Sequence, residues 1–299
     1  MQRTLYAYKI EPIAISEKNR MVVENIEEDI CYIVKELCEK DLLERKRDFR
    51  TDKKVLYLDS FQYDSKMHII NLKFIYLKYD SRRRVVDTQT LSDKGILKGR
   101  DDGDEEKNHV CLKFVDNNEI VALYEYNSLG IGFRRIIDYF QHYLRLYLKS
   151  MEKSEERYSY KLMYEHIVSK DFLKALSGVK KVKAITLTVE QKDKSISEFK
   201  DLSGKGDISS EVDVLFKPVS SVLGIHKDTV KEFFKIYNSK ERDVKRVTIK
   251  GAGEVNEDIK FDTDSMKQKL VVQVEETPDT REVDSSNMFN ILFAEILSL

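Results

Sequence analysis

The sequence predicts an α+β fold: two lobes of mainly antiparallel sheet with packed helices, and an apolar C-terminal helix at a lobe or dimer interface. Three observations lead there. Strand-like runs are joined by connections shorter than the parallel crossover, which needs about a dozen residues or more. Each half of the chain carries several strands and then an aromatic or apolar closing helix. Between the halves the charge-dense stretch Ser150 to Arg157 reads as a linker, so the lobes are expected at residues 1–150 and 151–299.

Thr4 to Ile10 alternates apolar and polar residues and is the first predicted strand. Val22 to Arg47 repeats apolar residues at a helical period, with acids early and bases late, as a helix dipole favours. Val55 to Tyr63 and Met67 to Tyr79, split by Asp64-Ser65, predict a hairpin; His109 to Val115 and Ile120 to Tyr126 predict another across Asp116-Asn117-Asn118. The following helix puts Phe133, Ile136, Ile137, Phe140, Tyr143, Leu144, Tyr147 and Leu148 on one side and Arg134, Asp138, His142, Arg145 and Lys149 on the other.

In the second half Tyr158 to Ile167 fits either strand or helix, and a short helix near Asp171 to Leu176 should stop at Gly178. Val182 to Glu190 and Val212 to Phe216 predict strands, Lys227 to Asn238 a helix, and Val244 to Ile249, Val255 to Phe261 and Leu270 to Val274 a meander. Ser285 to Leu299 opens on a Ser/Asn cap signal and is then apolar on almost every face, so it must be covered. Met288, Phe289, Leu292, Phe293 and Ile296 are the expected dimer contact.

Composition excludes several classes. At 41% hydrophobic and 35% charged, the 299-residue chain is neither disordered throughout nor short of a core. With no signal segment and no apolar run near the ~20 residues that span a bilayer, the expectation is a cytoplasmic protein with no membrane partner. Cys31, Cys38 and Cys111 cannot all pair, and are expected as reduced core thiols. A formal charge of −1 means that attraction to nucleic acid must come from local patches.

Three such patches stand out. Arg45, Lys46, Arg47, Arg50, Lys53 and Lys54 face only Asp48 and Asp52; Arg82, Arg83 and Arg84 form an uninterrupted triplet; Lys180, Lys181 and Lys183 lead into a strand. Clustered cations on one face suit phosphate contacts. Arg100 to Glu106 has oxygen ligands but lacks calcium-loop spacing, and reads as a mobile acidic loop. Ser128-Leu129-Gly130-Ile131-Gly132 precedes a helix, yet position 135 is arginine and no Lys-Ser/Thr pair follows, so neither a dinucleotide fingerprint nor a P-loop is present. His68, His109, His142, His166 and His226 show no metal spacing, and no nucleophile motif occurs. No catalytic residue, metal or cofactor is expected, and the chain is read as a non-enzyme.

The passage from Asp101 to Phe140 resembles the acidic stretch, strand, turn, strand and helix of the RexA family of phage exclusion proteins. Ser209 to Asn238, then Val244 to Glu254, is similar to that family's strand ending in Lys-Pro, helix and return strand. Tyr160 to Val189 resembles the helix-strand start of the KwaB-type phage-defence family. The likeness covers residues 100 to 275 and rests on the order of elements. It implies a cytosolic homodimer or higher homo-oligomer that binds double-stranded DNA nonspecifically in phage–host conflict, without catalysis. The other expectation is an oligomeric protein–protein interaction factor, such as a phage inhibitor of a host defence enzyme, with tyrosines as interface anchors.

Overall fold

The computed structural model describes residues 1–14, 25–79, 84–99, 102–150, 160–190, 211–220, 223–238, 244–253 and 258–299. It is a mixed α+β chain whose established strand pairs are antiparallel. By contact it divides into one unit of Met1–Met163 with Leu270–Leu299, and a second of Tyr164–Lys269. The chain therefore leaves the first unit later than residue 150, and its last thirty residues return to it.

The first unit is built on β1 (Gln2–Ala14), β2 (Arg47–Phe49), β3 (Lys54–Asp64), β4 (Ile69–Lys78), β7 (Asp104–Val115), β8 (Glu119–Tyr126), β9 (Tyr160–His166) and β14 (Lys269–Gln273), ordered β14-β1-β8-β7-β4-β3-β2 with β9 also on β1. Within the stretch from Tyr158 to Ile167, ambiguous in sequence, Tyr160–His166 is thus a strand. β5 (Arg84–Val86) and β6 (Asp93–Ile96) pair as a separate exposed hairpin. β14 was expected to extend a second-half meander. Instead it lies against β1, where Met1 and Val274 exchange backbone bonds of 2.6 and 2.8 Å.

The first helix is shorter than its pattern. α1 (Ile26–Glu39) is capped by the Asn25 side chain, which accepts from the Glu28 amide, and it ends where Lys40 turns extended and donates to Leu37 O. A four-residue α2 (Leu42–Arg45) follows, and β2 takes up Arg47. β7 likewise begins earlier than predicted. Asp104, Glu105 and Glu106 pair with Lys78, Leu77 and Tyr76, so these three residues of the expected acidic loop are strand.

Helix α3 (Phe133–Ser150) covers one face of the sheet, with Phe74 set edge-on to Tyr139 and Phe140 at 5.5 and 5.8 Å. Buried tyrosines here work inward. Tyr139 donates to Arg45 O (2.7 Å) and accepts from the Leu58 amide, and Tyr143 donates to Glu44 O, which ties the α2 segment to α3. Tyr8, Tyr76, Tyr124, Tyr139, Tyr143 and Tyr160 are all buried, so these six are core residues and not interface anchors.

The C-terminal helix α7 (Ser285–Ser298) covers the other face, packing on β4, β7 and β8. Met288, Phe289, Leu292 and Ile296 are buried by strands of their own chain, and Phe293 is half-buried. This corrects the expected dimer contact: an all-apolar helix needed a cover, and the sheet of the first unit supplies it. Cys31 and Cys111 are buried and Cys38 half-buried, all three as free thiols.

The second unit holds a four-stranded sheet, ordered β11 (Glu211–Phe216), β10 (Lys181–Glu190), β12 (Val244–Ala252), β13 (Asp258–Asp262). Helices α4 (Lys170–Gly178), α5 (Lys227–Asn238) and the short α6 (Thr263–Met266) accompany it. Phe172, Leu176, Val230 and Phe234 from α4 and α5 join Ile185, Val247 and Ile249 from the sheet in one core. No helix among the described residues is long and apolar enough to cross a membrane.

Candidate anion-binding cleft

The largest predicted cationic cluster is mostly spent on the fold. Arg45 Nη1 donates to Leu58 O and Asp59 O, both at 3.1 Å, and Arg47 lies over the Phe49 ring at 5.5 Å. Lys54 reaches Gly130 O and the Tyr76 ring, while Arg50 pairs with Asp48 at 3.6 Å. Lys46 and Lys53 are exposed. Asp52, the other acid of this stretch, is held by Arg135 at 2.6 Å. Arg84 is paired with Asp93, and Arg82 and Arg83 lie outside the described residues. In place of a continuous cationic stripe the segment from Arg45 to Lys54 forms a clasp around β3 and α3.

The glycine-rich turn before α3 is also structural. A Cβ on Gly130 would sit 2.7 Å from Asn108 Oδ1, and the same oxygen accepts from the Ile131 amide at 3.1 Å. Close approach to a buried asparagine explains that glycine without a phosphate.

The third cluster finds a different setting. α4 stops at Gly178, as expected, and Val179 turns the chain into β10, bringing Lys180 and Lys181 to the strand's start. Facing them is the first turn of α5. That turn is placed by Gly224 and Ile225: the Ile225 amide donates to Val182 O at 3.0 Å, and Gly224 has φ +76°. A Cβ on Gly224 would lie 2.8 Å from Lys181 Cγ and 3.0 Å from Val182 O, so only glycine lets the loop lie this close to β10. Gly224→Ala should therefore lower stability by more than the ~1–2 kcal/mol of a left-handed backbone alone. Calorimetry would read this as a lower unfolding temperature.

The result is a cleft of about 440 Å³ bounded by Lys180, Lys181, Lys227 and Lys231, with His226 beside them and Asp228 as its only carboxylate among the described residues. Asp228 accepts from Lys231 Nζ at 2.9 Å, and that hydrogen bond, then the lysine's charge, holds its carboxyl below the usual range. Lys227 Nζ donates to Ser177 O at 2.7 Å, a neutral acceptor that leaves its charge uncancelled. Neither Lys180 nor Lys181 has an ion-pair partner among the described residues. Lys183, the remaining member of the predicted cluster, is exposed at a bulge in the β10–β12 ladder and does not line the cleft.

Sequence reasoning missed Lys227, Lys231 and His226. The signal was present: lysines four apart at a helix start share one face. Counting only runs of adjacent cations hides it. Lys227 and Lys231 also border a second, apolar groove of about 540 Å³ between α4 and α5, lined by Val168, Phe172, Leu173, Leu176 and Phe234. Among the described residues, no three His, Cys, Asp or Glu side chains converge as a metal site would require. No protein-family model matches the chain, and no curated protein matches it.

Proposed function

We propose that the protein binds double-stranded DNA without reading its sequence, with the lysine cleft of the second unit as a phosphate-contacting surface. The observation that carries this is the cleft's imbalance of four lysines against one carboxylate among the described residues, on groups drawn from two parts of the chain. Ammonium groups on flexible stems contact phosphates as point charges and carry no base code. The resemblance to RexA-like and KwaB-type proteins supports a role in phage–host conflict.

Four phosphate contacts would give a salt slope of roughly −3 to −4, a loss of about a hundredfold between 50 and 200 mM salt. Fluorescence anisotropy with unrelated duplexes should show this slope for each of them. Lys180→Ala with Lys181→Ala should weaken all duplexes alike and reduce the slope by roughly 2. Unchanged affinity and slope in the double variant would reject the cleft as the site.

The apolar groove favours a second reading, an interaction factor that seats the apolar face of an acidic amphipathic helix, with Lys227 and Lys231 meeting its acids. A nuclease-resistant stoichiometric partner lost on Leu173→Asp would favour it.

A further inference from the structure

Ser285, His109 and Glu125 come from three distant parts of the chain and meet where α7 begins on β7 and β8. Glu125 Oε2 lies 2.6 Å from His109 Nδ1 and also accepts from the His109 amide at 3.3 Å. Its other oxygen faces Arg3 Nε at 3.3 Å. A carboxylate at Nδ1 fixes the tautomer that carries the proton there, which leaves Nε2 as an acceptor. Nε2 stands 2.8 Å from Ser285 Oγ, so the hydroxyl donates to it. This is the nucleophile, base and orienter geometry of an activated serine.

Burial supports the same assignment. His109 and Glu125 are 0% and 1% exposed, which shields the relay from water, whereas Ser285 is half-buried. Asp284 engages the amides of Asn287 and Met288. The Ser286 amide follows the nucleophile in the first turn of α7, where backbone N–H groups lack intrahelical partners and could serve a developing oxyanion. A polar cleft of about 280 Å³ is lined by Arg3, which faces Glu125, and by Val283, two residues before the serine, while Ser285 itself is not among its lining residues.

We infer that Ser285 is a nucleophile activated by His109 and oriented by Glu125, in a site for small acyl esters. Oγ attacks the ester carbonyl carbon while its proton passes to His109 Nε2. Collapse of the tetrahedral adduct breaks the carbon–oxygen bond to the leaving alcohol, which takes the proton from Nε2. Water then gives a proton to the same nitrogen, attacks the acyl carbon and releases the carboxylic acid, and the proton returns to Oγ. No oxidant or metal is required by these steps. Glu125 is a positioning residue and does not touch the substrate.

The test is an alkyl fluorophosphonate carrying a fluorophore, incubated with the full chain and mapped by peptide mass spectrometry. The expected result is one adduct, on Ser285, absent in Ser285→Ala. Because His109 is fully buried and its replacement threatens folding, Ser285→Cys gives the independent readout. Beside a basic imidazole the introduced thiol should react with iodoacetamide at pH 6 at least tenfold faster than glutathione. No Ser285 adduct on folded protein, or an adduct elsewhere that survives Ser285→Ala, would overturn the assignment. A thiol in the Ser285→Cys variant no faster than glutathione would show that the serine only clips the helix to the sheet.

Discussion

Leu292→Ala is expected to lower stability by about 2–5 kcal/mol, the range for a fully buried leucine whose site cannot collapse, and to leave the association state unchanged. Leu292 is 0% exposed, as are Met288 and Ile296 one turn to either side, and the row they form lies on β4, β7 and β8 of the same chain. The cavity would open inside the first unit. Urea denaturation beside sedimentation velocity at matched concentrations separates the two outcomes. A variant that dissociates a dimer while its own melting is unmoved would mean that α7 serves another copy. Removal of residues 285–299 should be more severe, because it bares the face of β4, β7 and β8 that the helix covers and takes Phe289 away from the His109 ring, 5.3 Å distant.

The same helix shows what local patterning could and could not reveal. That Ser285 to Leu299 must be buried follows from its apolar faces alone. Where it is buried depends on which strand lacks a cover, and that is a contact across more than a hundred and seventy residues. A clue lay in β4: the run IINLKFIYL is nearly all buried, unlike the alternation of a half-solvated antiparallel strand. Such a strand needs two covers, and α3 supplies only one of them.

Boundaries were less legible for physical reasons. The helical period from Val22 to Arg47 continued through Lys40 and Asp41, but tertiary demand overrode it: Arg45 and Lys46 carbonyls are taken by the Tyr139 and Tyr143 hydroxyls, and Arg47 pairs with Leu56. Burial pushes the Tyr139 phenol far above its ordinary range, so it stays a neutral donor in that role. The local excess of basic residues that marks the cationic run says nothing about the direction in which each side chain points. Arg45 and Lys54 turned inward to carbonyls and a ring, whereas Lys180 and Lys181 met two further lysines from a helix forty-six residues on.

Glu125→Ala is expected to cost about 3–5 kcal/mol, as for a buried pair that loses one member. In sequence Glu125 sits between two tyrosines near the end of a strand and looks like a solvent-facing residue. It shares its sheet face with Leu123 and the paired His109 and Cys111, which α7 covers, so it is 1% exposed. Three groups depend on it: the His109 ring at 2.6 Å, the His109 amide at 3.3 Å, and Arg3 at 3.3 Å. Alanine leaves the imidazole N–H without its acceptor in a dry site and a guanidinium without its counter-charge, and the desolvation of both stays unrecovered. Glu125→Gln separates the two contributions. Its amide oxygen can still accept from Nδ1 but carries no charge for Arg3, so it should recover part of the loss. Arg3→Met in the Glu125→Gln background should then cost less than in the native chain, since the pair it would break is already gone. A double-mutant cycle by urea denaturation with a coupling energy near zero would show that Arg3 and Glu125 are neighbours without being partners.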